Sequence, residues 1–109
     1  MPAPTRPVVT VETQGEVTVA KFVDPNLIDE EIINAVGAQL VSLVEDKGCR
    51  HLKLDFTGMD YVASAALGKF LSLHRKMKTA GGRLVLCNLD PAIREVLAIS
   101  RLDHFFEIE

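Results

Sequence analysis

Cysteine is scarce in this chain of 109 residues, and its two cysteines, Cys49 and Cys87, form no C-x-x-C pair. Isolated cysteines of this kind are typical of reduced thiols in a cytosolic protein. The N-terminus has three prolines in its first seven residues and no apolar core, which argues against a signal peptide. No apolar run approaches the ~20 residues of a membrane span. We therefore predict a cytoplasmic protein without membrane insertion.

Basic charge is not in excess either, since 12 Lys and Arg stand against 15 Asp and Glu, a net charge of −3. Binding to nucleic acid draws on Lys and Arg that neutralise phosphates, so we predict no nucleic-acid partner. The sequence also lacks a P-loop, a G-x-G-x-x-G run, a G-x-S-x-G elbow and any metal-ligand spacing. These absences predict neither a cofactor nor a metal site.

A catalytic pair is not indicated. Ser64 and His74 lie ten residues apart on one predicted helix, about 15 Å along its axis. A general base must lie within about 3 Å of the proton that it takes, so this pair cannot act as nucleophile and base. His51 and His104 have no partner that would suggest chemistry. We predict that the protein is not an enzyme.

The order of elements predicts one α/β domain over residues 8–109, preceded by a flexible arm at residues 1–7. A hairpin with Gly15 in its turn comes first, and residues 24–26 have turn chemistry. Helices are expected to begin near Asp29, at Ala63 or Ser64, and at Asp90-Pro91. Strands are expected at residues 8–13, 17–23, 51–56 and 84–87, with a last short strand or core tail at 105–108.

The predicted architecture is a mixed sheet of four or five strands with three main helices, joined by right-handed crossovers. The helices should lie mostly on one side, because His51, Lys53 and Asp55 make one face of their strand polar. We expect Lys53 and Asp55 to pair across strands rather than to form a site. The apolar faces of the helices are predicted from their spacing to comprise Ile32, Val36, Leu40 and Leu43 or Val44; Leu67, Phe70, Leu71, His74 and Met77 or Lys78; and Ile93, Val96 and Leu97.

Several of these segments match a known family. The residues that carry the match are Leu54-Asp55-Phe56-Thr57, Asp60-Tyr61-Val62, Ser64-x-x-Leu67-Gly68 and Ala80-Gly81-Gly82-Arg83-Leu84-Val85-Leu86. This pattern resembles the STAS domain, and most of all the single-domain bacterial anti-sigma factor antagonists. The resemblance extends over nearly the whole chain, and it implies a STAS-like fold.

The resemblance implies a role for Ser64. In the family the loop usually has the sequence Asp-Ser-Ser/Thr-Gly-Leu, and its first Ser is a regulatory phosphorylation site. Carried over, that serine is Ser64, while the family's Asp falls on Ala63 and its second hydroxyl on Ala65. The phosphoacceptor is therefore kept and its acidic neighbour is replaced.

The implied function is partner switching in transcription regulation. Such a domain binds an anti-sigma factor, often a serine-kinase-like ATPase, is released when that kinase phosphorylates it, and is reset by a phosphatase. Phosphorylation adds roughly −1.5 to −2 charges to the interface. The residues that we predict to contact the partner are Asp60, Ala63, Ala65, Gly68 and Lys69.

Other interpretations stay open at this stage. Ser64 could simply cap its helix, and Gly68 could serve close packing against the sheet. We expect Ala66 to be packed and Ala65 to be exposed. The replacements at Ala63 and Ala65 fit a constitutive interaction subunit of a signalling scaffold or a lipid transporter, without phosphorylation. A small-molecule or nucleotide sensor, with its ligand at the strand ends, is a third hypothesis.

Overall fold

The computed structural model describes residues 8–109. The flexible arm predicted at residues 1–7 lies outside the described residues. In chain order, the described elements are β1 (Val9–Gln14), β2 (Val17–Phe22), β3 (Asn26–Leu27), α1 (Glu30–Glu45), β4 (His51–Asp55), β5 (Tyr61–Val62), α2 (Ser64–Thr79), β6 (Arg83–Cys87), α3 (Pro91–Ile99), a 3₁₀ turn (Leu102–His104) and β7 (Glu107–Ile108).

Five of the strands form one mixed sheet in the order β1-β2-β4-β6-β7. β1 and β2 are the antiparallel hairpin, and Gly15 in its turn has a φ of +65°. The remaining neighbours are parallel, so that Ala20, Leu54 and Leu86 lie side by side across the sheet. This arrangement confirms the predicted mixed sheet with an N-terminal hairpin and three main helices.

The helices cover one face of this sheet. Leu52, Leu54, Leu84 and Leu86 share a single core with the buried side chains of α1, α2 and α3. Because alternate residues of a strand point to opposite faces, all three helices must pack on that side. Lys53 and Asp55 point to the other side, which we call the open face. The prediction of helices on one side is confirmed.

The short strands β3 and β5 form a separate parallel pair that the sequence did not predict. Asn26, predicted to lie in a turn, begins β3 instead. Each strand has only two residues, which is too short for an alternating pattern to show. The pair joins the loop before α1 to the loop before α2.

Some predicted helix faces need correction. Ile33 rather than Ile32 is the buried residue of the first turn of α1, and Leu73 rather than Leu71 or His74 is buried in α2. Val96 of α3 was predicted to be part of the apolar stripe that packs on the core, but it is 43% exposed. The errors arise because neighbouring apolar residues fit the same helical spacing. The other predicted core positions are confirmed as buried: Val36, Leu40 and Val44; Leu67, Phe70 and Met77; Ile93 and Leu97.

The C-terminal segment returns to the sheet edge. The short strand predicted within residues 105–108 is present, but only Glu107–Ile108 pair with β6. Phe106 is buried, whereas Phe105 is exposed. No helix formed by residues 8–109 combines the length and the apolar character needed to cross a bilayer.

Candidate functional site

The loop before α2 is held in place by main-chain hydrogen bonds to the loop before α1. Asp60 N–H donates to the Pro25 carbonyl at 2.8 Å, and Ala63 N–H donates to the Leu27 carbonyl at 2.8 Å. Between them, β5 pairs with β3. The start of α2 therefore has a fixed position relative to the start of α1.

Ser64 is the first residue of α2, and its side chain is exposed. The N-cap is Ala63, with φ −70° and ψ 156°, and no side chain caps the helix. The interpretation of Ser64 as the N-cap is therefore wrong. Its hydroxyl makes no hydrogen bond within residues 8–109 and faces the solvent.

The first turn of α2 has neither a side-chain cap nor an acidic residue to offset its positive dipole end. Asp29 caps α1 by accepting from the N–H groups of Glu31 and Ile32, and Asp90 caps α3 by accepting from that of Ala92. Among the three α-helices of the described residues, α2 alone lacks such a cap. It also has no acidic residue in its first turn, and Lys76 and Lys78 lie in its last turn. An anion at Ser64 would meet unpaired N–H groups and the positive end of the helix dipole.

The neighbours of Ser64 on α2 are small. Ala65 is exposed and Ala66 is buried, as predicted, while Ala63 is half-buried. Gly68 lies one turn after Ser64 on the same side, and a Cβ added there would meet no atom within 4 Å. The interpretation of Gly68 as a close-packing residue is therefore wrong, and its surface is free for a partner.

The two other residues predicted to contact a partner are Asp60 and Lys69. The side chain of Asp60 is exposed and has no hydrogen-bond or ion-pair partner within residues 8–109. Lys69 is also exposed. Its aliphatic carbons pack over Gly37 of α1, where an added Cβ would lie 3.1 Å from Lys69 Cδ. Lys69 follows Ala65 by one turn and faces α1, away from Ser64 and Gly68. The structure thus groups Ser64 with Gly68, and Ala65 with Lys69.

The open face of the sheet carries a different set of polar groups, which are paired with one another. Lys53 forms an ion pair with Glu109 at 2.7 Å. Asp55 accepts from the Thr57 hydroxyl at 2.6 Å and from Asn88 Nδ2 at 3.0 Å. Burial acts to raise the pKa of Asp55, but these hydrogen bonds outweigh it and hold the pKa below its ordinary value. Asp55 also pairs across strands with Lys21 of β2 at 3.9 Å, as expected, whereas Lys53 reaches Glu109 beyond the end of β7.

No group of three or more His, Cys, Asp and Glu side chains within residues 8–109 is arranged to hold a metal ion. Tyr61, which lies in β5 three residues before Ser64, is half-exposed and was not among the predicted contact residues. A lone tyrosine in a two-residue strand gives no periodic signal, and only the fold shows that it lines a pocket between β5 and α3.

The sequence is similar to a known family and to a known protein. The family model of the STAS domain matches residues 8–109. The chain is 39% identical over 71 residues, 65% of its length, to BtrV of Bordetella bronchiseptica, whose name describes it as a candidate anti-sigma factor antagonist. The match spans 60% of the length of that relative.

Two solved proteins share the fold. A Thermotoga maritima protein with a similar description superposes with a TM-score of 0.80 at 16% identity, covering 92% of this chain and 84% of its own. The Bacillus protein SpoIIAA in its phosphorylated form has a TM-score of 0.71 at 20% identity, covering 93% of this chain and 90% of its own. With the family model matched over all described residues, the chain belongs to the STAS domain family.

Proposed function

We propose that this protein is an anti-sigma factor antagonist, a regulatory module that binds a protein partner on the surface around Ser64. The observation that carries the proposal is the exposed Ser64 hydroxyl at the uncapped start of α2. Nothing within residues 8–109 occupies that hydroxyl, and the small residues beside it let a partner approach closely.

Phosphorylation of Ser64 is the proposed switch. The phosphate would bring roughly −1.5 to −2 charges to a position where the free protein can stabilise them with helix N–H groups. A partner packed over Ser64 would lose a close contact with a small neutral group and meet a bulky dianion instead. The modification would therefore stabilise the free form and weaken the complex, both in the direction of release.

The proposed partner is an anti-sigma factor, and a serine-kinase-like ATPase of that class would also phosphorylate Ser64, with a phosphatase restoring the hydroxyl. BtrV carries an anti-sigma factor antagonist name, and a structural relative has been solved in a phosphorylated form, which supports this assignment. In this role the protein binds rather than catalyses. We place it in the cytoplasm, where sigma factors act.

The test uses three baits in lysate of the native host: wild type, Ser64→Asp and Ser72→Asp. Ser72 is an exposed serine two turns further along α2, about 12 Å along the helix axis, so its variant adds the same charge away from the Ser64 hydroxyl. We expect wild type and Ser72→Asp to capture the same ATPase and Ser64→Asp to lose it. Incubation of the captured ATPase with ATP should then phosphorylate wild type but not Ser64→Ala, as read by mass spectrometry.

A constitutive STAS subunit is the second candidate, favoured by the replacement of the family's Asp by Ala63. In that case all three baits would capture the same scaffold or transporter assembly, and Ser64 would remain unmodified. Equal capture by wild type and Ser64→Asp would thus reject the switch and assign the protein to a permanent assembly.

A further inference from the structure

Exposed apolar side chains collect along the outer side of α3 and opposite it on β5. Ala92, Val96 and Ile99 follow one another at spacings of four and three residues, so they share one face of α3. Val96 is 43% exposed and Ile99 is 76% exposed. Across from them, Tyr61 is 52% exposed. Apolar side chains that cluster on a surface mark an interaction site more often than scattered ones do.

A groove separates these two sets of side chains. Its cavity of about 50 Å³ has the buried residues Val62, Leu67 and Ile93 as its floor. Tyr61, Ala92 and Val96 form its rim. A cavity of this size admits the end of a single side chain, and its lining predicts that the side chain is aliphatic.

One charged residue lines the groove, Asp60, whose carboxylate has no partner within residues 8–109. The groove is therefore apolar apart from one unpaired carboxylate at its edge, which calls for a basic residue on the partner.

The groove is continuous with the surface around Ser64. Val62 ends β5 two residues before Ser64, and Leu67 follows one turn after it. A partner that covers Ser64 lies next to the groove, and a side chain only a few ångströms long can reach its floor. Buried anchors of this kind commonly supply most of the binding energy of an interface, while the polar rim supplies orientation.

We propose that the β5–α3 groove binds an aliphatic side chain of the partner protein, and that a Lys or Arg beside that side chain pairs with Asp60. This inference rests on the proposed function for its choice of partner. It assigns to α3 a part in recognition that is distinct from the phosphorylation of Ser64.

The first test needs no natural partner. The probe is the peptide acetyl-Lys-Leu-Arg-amide, titrated into isotope-labelled protein, with acetyl-Glu-Leu-Glu-amide as the charge-reversed control. We expect the basic peptide to shift the methyl resonances of Val62, Leu67 and Ile93, and the acidic one to shift them less at equal concentration. Asp60→Asn should weaken binding of the basic peptide about two- to fivefold at low salt.

The matched variants are Val96→Lys and Val11→Lys. Val11 on β1 is 46% exposed, close to the 43% of Val96, but it lies far along the sheet from the groove. Val96→Lys should abolish the peptide shifts, and Val11→Lys should leave them unchanged. Equal melting temperatures for the two variants will show that both remain folded. Shifts that persist in Val96→Lys, or that are absent from the wild type, overturn the proposal.

The second test uses the ATPase captured by the wild-type bait. We expect Val96→Lys to bind it about tenfold more weakly or worse, and Val11→Lys to bind it as the wild type does. If Ser64→Asp releases the ATPase but Val96→Lys binds it as tightly as the wild type does, the groove proposal fails and the partner switch stands. If the peptide occupies the groove but no bait depends on Ser64, the switch fails and the groove stands.

Discussion

Ala63 holds the N-cap position of α2 in extended geometry, but its methyl group cannot accept a hydrogen bond. Asp29 and Asp90 do so at the starts of the other two helices. This arrangement makes the helix start less stable, and under the proposed switch it leaves the N-terminal turn open for a phosphate on Ser64. The family's Asp at this position would provide the missing acceptor.

We expect Ala63→Asp to raise the free energy of unfolding by about 1 kcal/mol, because the new carboxylate can accept from the first N–H groups of α2. Ala65→Asp, which adds the same charge two residues later at an exposed position, should stabilise by less than half of that through the dipole alone. Urea denaturation of the two variants and the wild type measures both effects. Equal stabilisation by the two variants would show that charge rather than capping is responsible.

At the scale of single residues, the sequence predicted which side chains are exposed at the start of α2 but not which residue holds the N-cap position. It predicted the exposure of Ala65 and the burial of Ala66, because neighbouring residues of a helix point about 100° apart and only one of the two can face the core. It could not decide whether the helix begins at Ala63 or at Ser64, and it offered Ser64 as a possible cap, whereas Ala63 holds the N-cap position. That one position separates a serine engaged in structure from a serine available for modification.

Two glycines, Gly82 and Gly68, have opposite surroundings. Gly82 lies just before β6, where a Cβ would be 2.6 Å from the main-chain carbonyl oxygen of Arg50. That carbonyl accepts from Arg83 N–H at 2.8 Å, where β6 begins beside β4. Gly68 lies within α2, where a Cβ would meet open space. The first glycine is required by a close approach of two main chains, and the second is not required by the fold.

The same substitution at these two positions should therefore have effects of opposite sign. Gly82→Ala is expected to lower the free energy of unfolding by about 2 kcal/mol, because the main chains of β4 and β6 must separate. Gly68→Ala is expected to raise it by about 1 kcal/mol through better helix propensity. Thermal and urea unfolding measure both. A destabilising Gly68→Ala would indicate a packing contact at that residue.

At the scale of elements, the long helices and the central strands were predictable, because their apolar residues repeat over several turns or several alternations. Asp90-Pro91 marked the start of α3 directly. β3 and β5 were not predictable, because their pairing depends on tertiary contacts between segments far apart in the chain. The groove of Tyr61 and Val96 was missed for the same reason, since it exists only where β5 and α3 meet.

At the scale of the whole molecule, His74 connects α2 to the C-terminal segment. Its ring packs edge-on against Phe106 with centroids 5.7 Å apart. Burial lowers the pKa of His74, and the charge of Lys78 lowers it further. The folded protein therefore favours the neutral imidazole and binds fewer protons than the unfolded chain does near the ordinary pKa of 6.5.

This difference predicts that stability is full above about pH 6.5 and falls as the pH is lowered below it. His74→Gln should reduce the loss of unfolding free energy between pH 7 and pH 5. His104→Gln, at an exposed side chain, controls for the removal of an imidazole elsewhere. Asp55 loses its own contribution only at more acidic pH, below 3.8. An unchanged pH profile in His74→Gln would remove His74 as its cause.

The pairing of β3 with β5 makes the proposed recognition surface discontinuous in sequence. Residues 24–27 and 60–63 are separated by an entire helix and strand, yet they are joined by main-chain hydrogen bonds into one rigid corner. A peptide cut from either segment would carry half of that corner and none of its geometry. The surface therefore cannot be transplanted as a linear segment.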